Sequence, residues 1–181
     1  EAPDEIPVLA TRNMVLFPGV LVPILIGRKA SMNLAKKLSK NPKDNICAIF
    51  CQRNSDVDNP AGNELYEYGV YARLVRIIEM PTPDNVTAIF QSLGKCRLQK
   101  ITGIKPYYKG IVAPSPDELP TDEDSEFVTL IEDLRASTEE LIKSSEEIPD
   151  DILMTIKNLT NPIMFTNFVC TNLPLSVKDK I

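Results

Sequence analysis

Near Pro114-Ser115-Pro116 the apolar residues of this chain change their spacing. Upstream they alternate or run in short β-branched blocks, the pattern of strands. Downstream they recur every three or four residues, the pattern of amphipathic helices. A chain that changes period once cannot be a uniform bundle or a uniform sandwich. The pattern predicts an α+β protein, with a β-rich subdomain over residues 1–115 and a helical subdomain over residues 116–181. Its 181 residues suit one large domain or two small ones with their own cores. Pro116 to Asp124, proline-rich and then acidic, reads as the linker between them.

In the first part, Ile6–Thr11 reads as a strand and Pro18-Gly19 as a turn. Val20–Ile26 reads as a strand that Pro23 confines to an irregular or edge position. Ser31 is placed to cap a helix running to Lys40, burying Leu34, Ala35 and Leu38 and exposing Asn33, Lys36, Lys37 and Lys40. Asn45–Gln52 is a buried strand, and Asn54–Asn63 a polar loop open to movement. Val70–Met80 and Val86–Leu93 flank a hairpin turn over Pro81-Thr82-Pro83-Asp84-Asn85. Gly94 permits a bend or bulge before Cys96–Ile101, and Tyr107–Ala113 ends the series.

In the second part, Thr121 with Asp124 approximates a capping box. It opens a helix of about two dozen residues that carries Phe127, Leu130, Ile131, Leu134, Thr138, Leu141 and Ile142 as its apolar stripe. Ile148-Pro149 stops it. Asp150 or Asp151 is placed to cap a short helix through Leu159. Asn161-Pro162 opens another to Asn172, and Ser176 with Asp179 starts a last one, cut off at Ile181.

Much catalytic chemistry is excluded. Histidine is absent, which removes most metal, acid–base and triad arrangements. No phosphate-cradling glycine loop occurs, and the glycines are too dispersed for a dinucleotide fingerprint. Cys47, Cys51, Cys96 and Cys170 form no C-x-x-C pair. Cys47 and Cys51 share a strand face but lie roughly 13 Å apart along it, too far to share a metal. The carboxylate doublets Glu139-Glu140, Glu146-Glu147 and Asp150-Asp151 read either as acid–base groups or as a solvated acidic face. No catalytic, cofactor-binding or metal-binding residue is predicted. Neither a signal peptide nor an apolar run of membrane-spanning length is found, so the reading is cytoplasmic, with reduced thiols and no membrane partner.

Charge is divided unevenly. Residues 1–115 hold 15 Lys/Arg against 10 Asp/Glu, and residues 116–181 hold 5 against 15. An acidic half and scattered lysines disfavour nucleic acid, which needs a concentrated basic face. The candidate protein-binding residues are Arg28, Lys29, Asn33, Lys36 and Lys37 on and beside the first helix, with Phe17 at the proline–glycine turn. The alternatives are a solubilising helix face and a structural corner in which Phe17 fills the core.

Several ordered motifs resemble those of the N-terminal domain of the ATP-dependent Lon protease family. Ile6-Pro7-Val8-Leu9-Ala10-Thr11-Arg12 followed by Val15-Leu16-Phe17-Pro18-Gly19 is similar to its opening strand and turn. Ala10 stands where the family usually has proline, and Asn13 where it has aspartate. Val22-Pro23-Ile24-Leu25-Ile26-Gly27-Arg28, Gly69-Val70-Tyr71-Ala72, Phe90 to Arg97 and Asn172-Leu173-Pro174-Leu175 resemble later motifs in the same order. The resemblance covers nearly the whole chain. It implies a PUA-like pseudo-barrel with one embedded helix, followed by an α-helical bundle. It also implies a non-catalytic module of protein quality control. Such a module recognises unfolded or tagged protein substrates and helps a homo-hexamer assemble. The AAA+ ATPase and serine protease parts would lie outside this chain. Its alternatives are a stand-alone adaptor of the same fold and an RNA-binding PUA-like module.

Overall fold

The computed structural model describes residues 5–79, 84–121, 124–146 and 148–181. The centre of the proline-rich turn expected over 81–85, the Met80 end of its strand, two acidic positions of the linker and Glu147 lie outside them. Two compact units form, Glu1–Pro116 with Pro174–Ile181, and Asp117–Leu173.

The first unit holds six strands, β1 Glu5–Thr11, β2 Leu21–Ile26, β3 Ile46–Gln52, β4 Leu65–Glu79, β5 Val86–Gly103 and β6 Tyr108–Pro114, with helix α1 over Lys29–Lys40. They pair in the order β2-β5-β4-β3-β1-β6, and β6 also pairs with β5. The pairings β5–β4–β3–β1–β6 therefore return to β5 as a closed circuit. β1 and β3 run parallel and all other neighbours antiparallel. A parallel pair needs a long crossover, and residues 12–45 supply it with β2 and α1.

β5 serves different partners along its length. Val86 to Gln91 pair with β2, and Cys96 to Gly103 pair with β6. Between them Val70 opposes Lys95 while Ala72 opposes Ser92, so Leu93 and Gly94 together face Tyr71. That extra residue is the bulge expected at Gly94. A second irregularity places Val75 as the extra residue on β4 between Leu74 and Arg76. Bulges bend and twist a strand locally, which lets β5 turn from one partner to the other.

β1 and β3 are covered on both faces. Leu9, Cys47 and Ile49 join one apolar cluster with Leu34, Ala35 and Leu38 of α1, while Val8, Ala48 and Phe50 join another with Cys96 and Tyr108. Two-sided burial explains why β3 reads as an unbroken apolar run. Pro23 sits in β2, at the end of the strand order, where a missing donor is tolerated. Ser31 does not cap α1: the capping position is Arg28, with no side-chain bond.

The second unit comprises α2 Ser125–Ser144, α3 Asp150–Asn158 and α4 Pro162–Asn172. The cap of α2 is Asp124 rather than Thr121, its carboxylate accepting from the amides of Glu126 and Phe127. Pro149 occupies the α3 cap position without a side-chain bond. Asn161 caps α4 through the amides of Ile163 and Met164, with proline inside the first turn. The core is Ile142, Ile156, Phe165 and Val169. Leu130 and Leu141, expected in the α2 stripe, are 60% and 54% exposed. The facing helices have only 9 and 11 residues and cover a narrower stripe than the periodicity suggests. Ser176 caps the short α5, Val177–Lys180, by accepting from the amide of Asp179.

Candidate functional site

At about 100° per residue, Lys29, Asn33, Lys36, Lys37 and Lys40 fall on one face of α1, opposite Leu34, Ala35 and Leu38. Their surroundings differ. The Arg28 guanidinium donates to Oε1 of buried Gln52 at 2.5 Å, and burial pulls its pKa down. Asn33 donates through Nδ2 to the Pro106 carbonyl at 3.0 Å. The Lys37 ammonium lies 5.6 Å from the Tyr107 ring centroid. Lys29 and Lys36 are exposed.

Phe17 is half-buried, and its neighbour Leu16 enters the core instead. The turn that holds Phe17 is tied to β5 at one residue. Ser92 Oγ donates to the Phe17 carbonyl at 2.6 Å. Gly19 N donates to Ser92 O at 3.2 Å, and Ser92 N to Val20 O at 2.9 Å. Gly19 has φ 83, the left-handed conformation that glycine adopts without penalty. The proline–glycine corner is therefore a fixed part of the frame.

The structure brings Lys29 and Asn33, but neither Lys36, Lys37 nor Phe17, to an open cleft of about 1390 Å³. Its walls are the start of α1, the turn before β4, the end of β5 and the loop leading to β6. Arg28 borders a smaller cavity of about 630 Å³ on the other side of the α1 N-terminus.

A further surface was not evident from the residues alone. Leu21 and Leu25 are 58% and 65% exposed, alternating along β2 with buried Ile24 and Ile26, and Pro23 is exposed between them. Leu25 and Ile78 both register with Thr87, and Pro23 and Arg76 both register with Ile89. Registered neighbours share a sheet face, so β2, β5 and β4 present one outward face on which Leu21, Pro23, Leu25 and Ile78 stand beside exposed Arg73 and Arg76, with Val75 exposed at its bulge. The available signal was that Val20–Ile26 is apolar on both faces while Pro23 marks an edge strand. An edge strand apolar on both faces exposes one of them.

Among the described residues no group of three or more Cys, Asp or Glu side chains is placed to hold a metal. No helix there is long and apolar enough to cross a membrane. Burial raises the Cys47 and Cys96 thiols well above the ordinary range, which removes them as nucleophiles at neutral pH.

Residues 5–181 match the family described as the ATP-dependent protease La (LON) substrate-binding domain. The chain is similar to the Lon protease of Porphyromonas gingivalis, 37% identical over 181 residues, and to that of Parabacteroides distasonis, 36% identical over 177 residues. Each alignment covers 98% of this chain, which spans 21% of the length of each relative. In fold it is similar to the N-terminal domain of the Mycobacterium avium complex Lon protease, with a TM-score of 0.75 at 15% identity, covering 98% of this chain and 87% of that one.

Proposed function

The chain belongs to the substrate-binding domain family of the ATP-dependent protease La (Lon), and from that premise we propose that it captures exposed apolar segments of unfolded or tagged proteins for a protease ring built by its parent chain. The observation that supports this is the outward patch of Leu21, Pro23, Leu25, Val75 and Ile78. A cluster of large exposed apolar side chains on paired strands is what a partner rich in exposed apolar residues recognises. Non-directional contact suits a module that must accept many sequences.

Single-domain capture is weak, because ordering a flexible partner offsets much of the gain from burial. Six copies in a homo-hexamer would raise the apparent affinity through effective concentration. The exposed cations of α1 add a salt-dependent contribution. ATP hydrolysis and peptide cleavage belong to the parent in this reading, and the chain itself turns over neither ATP nor peptide.

The test is capture of a reduced, alkylated, permanently unfolded protein by the chain and by its L21S/L25S/I78S variant. Leu21 and Leu25 are more than half exposed and Ile78 is 38% exposed, so the variant stays folded with a lowered unfolding midpoint. Capture falls by about tenfold, roughly the loss of two buried methylenes over the three residues together. Equal capture by a folded variant sinks the apolar-face reading. Turnover of ATP or peptide that a substitution in this chain abolishes sinks the non-catalytic one.

A further inference from the structure

The cleft beside α1 has a composition unlike that of the apolar patch. β4 and β5 separate beyond the Tyr68–Arg97 pair, after which β5 continues with β6 and β4 leads back toward β3. The split leaves half-buried Leu98 and Ile101 and exposed Ile104 along the cleft, packed over buried Leu65. Lys29, Lys100 and Lys105 stand around this aliphatic floor, all exposed. Among the described residues none of the three has a carboxylate within ion-pair distance. The one carboxylate of the lining, Glu67, is ion-paired with Arg97. The cleft thus carries uncompensated positive charge above an apolar floor. Its volume of about 1390 Å³ exceeds the roughly 300–1,000 Å³ of small-molecule sites.

We infer that this cleft binds an extended acidic peptide segment in which Asp or Glu alternates with Leu or Ile. In an extended chain successive side chains point to opposite sides. Such a segment lays its aliphatic residues on Leu98, Ile101 and Ile104 while its carboxylates meet Lys29, Lys100 and Lys105. A nucleic acid would supply phosphates but needs flat faces for its bases. The single aromatic residue of the lining, Tyr108, is 8% exposed. The inference rests on the reading of the chain as a polypeptide-binding domain and adds a second, charge-selective site to it.

The probe is the peptide Ser-Glu-Leu-Asp-Ile-Glu-Leu-Asp-Ser, with a twin carrying Lys at every acidic position. Binding to the 181-residue chain is followed by fluorescence anisotropy and by methyl NMR of the isoleucines. The acidic peptide binds, shifts the Ile101 and Ile104 methyls, and binds about tenfold more tightly than its twin. In K29E/K100E/K105E the preference reverses. The wild-type methyl shifts make the test independent of how that variant folds. Equal binding of the two peptides, or shifts confined to Ile78 and Ile89, overturns the inference. So does a single-stranded oligonucleotide that displaces the acidic peptide at lower concentration than the unlabelled peptide itself. Capture of the unfolded protein is measured alongside. If it fails while acidic-peptide binding persists, the apolar-face reading falls and the cleft stands; the converse overturns the cleft alone.

Discussion

The guanidinium of Arg135 lies 4.2 Å from the centroid of the Phe165 ring, and its two terminal nitrogens donate to the carbonyls of Ile156 and Leu159 at 2.9 and 2.8 Å. One side chain of α2 thereby closes the C-terminal end of α3 and stacks on the buried aromatic of α4. The fork also places positive charge at a helix end that carries partial negative charge.

Arg135→Ala removes the donor to the Leu159 carbonyl, leaves the Ile156 carbonyl only the Leu159 amide at 3.1 Å, and uncovers one face of Phe165. It costs the helical unit about 2 kcal/mol. Arg135→Lys restores little, because an ammonium lacks the planar fork. Urea unfolding followed by helix circular dichroism checks both, and a lysine variant as stable as the wild type contradicts the bidentate role.

Gly69 and Gly94 respond oppositely to alanine. A Cβ at Gly69 would stand 2.2 Å from the Ile49 carbonyl and 2.5 Å from Cδ1 of Phe50. Those neighbours are backbone and a fully buried ring, so Gly69→Ala must push β3 and β4 apart, costing about 3 kcal/mol or more. A Cβ at Gly94 meets nothing within 4 Å, and Gly94 has no positive φ. Gly94→Ala stays within about 0.5 kcal/mol of the parent. Paired thermal melts of the two variants decide the matter.

Gln52 organises the segment that reads from the sequence as an open polar loop. It accepts from Arg28, and its amide donates to the carbonyls of Asn54 and Val57 at 3.0 and 2.8 Å. Arg12 donates to the Ser55 carbonyl at 2.6 Å and pairs with Asp58. Gln52→Leu removes the shared partner of Arg28 and of the Asn54 and Val57 carbonyls, costs about 2 kcal/mol, and exposes residues 54–59 to protease. Limited proteolysis leaves this loop uncut in the wild type and cuts it first in the variant. Early cleavage there in the wild type contradicts the pinned arrangement.

Alkaline pH tests the buried thiols. Burial pushes Cys96 up to about 12 from the ordinary 9.0, and Cys47 is raised by burial and by its neighbour Cys96. Above about pH 9 the unfolded chain loses these protons while the folded chain keeps them, so stability falls as pH rises toward 12. Below the unfolded value the contribution is fully present. Denaturation midpoints between neutral pH and pH 11 should fall less steeply in C47A/C96A than in the parent. Equal slopes refute the assignment.

Local chemistry was legible in the residues. The three buried positions of α1, the edge placement of Pro23, the Gly94 bulge and the Asn161-Pro162 helix start follow from side-chain periodicity, a missing donor and backbone freedom. These act within a few residues of the chain. Tertiary pairing decided the rest. Arg28 and Lys29 are adjacent in sequence, yet Gln52 engages one and the other stands at the cleft, because a partner 24 residues away leaves no mark on local pattern. The exposed face of β2 follows from its place at the end of the strand order, and the cleft follows from β5 exchanging neighbours partway along its length. Both are consequences of long-range strand registry, which periodicity along one strand does not encode.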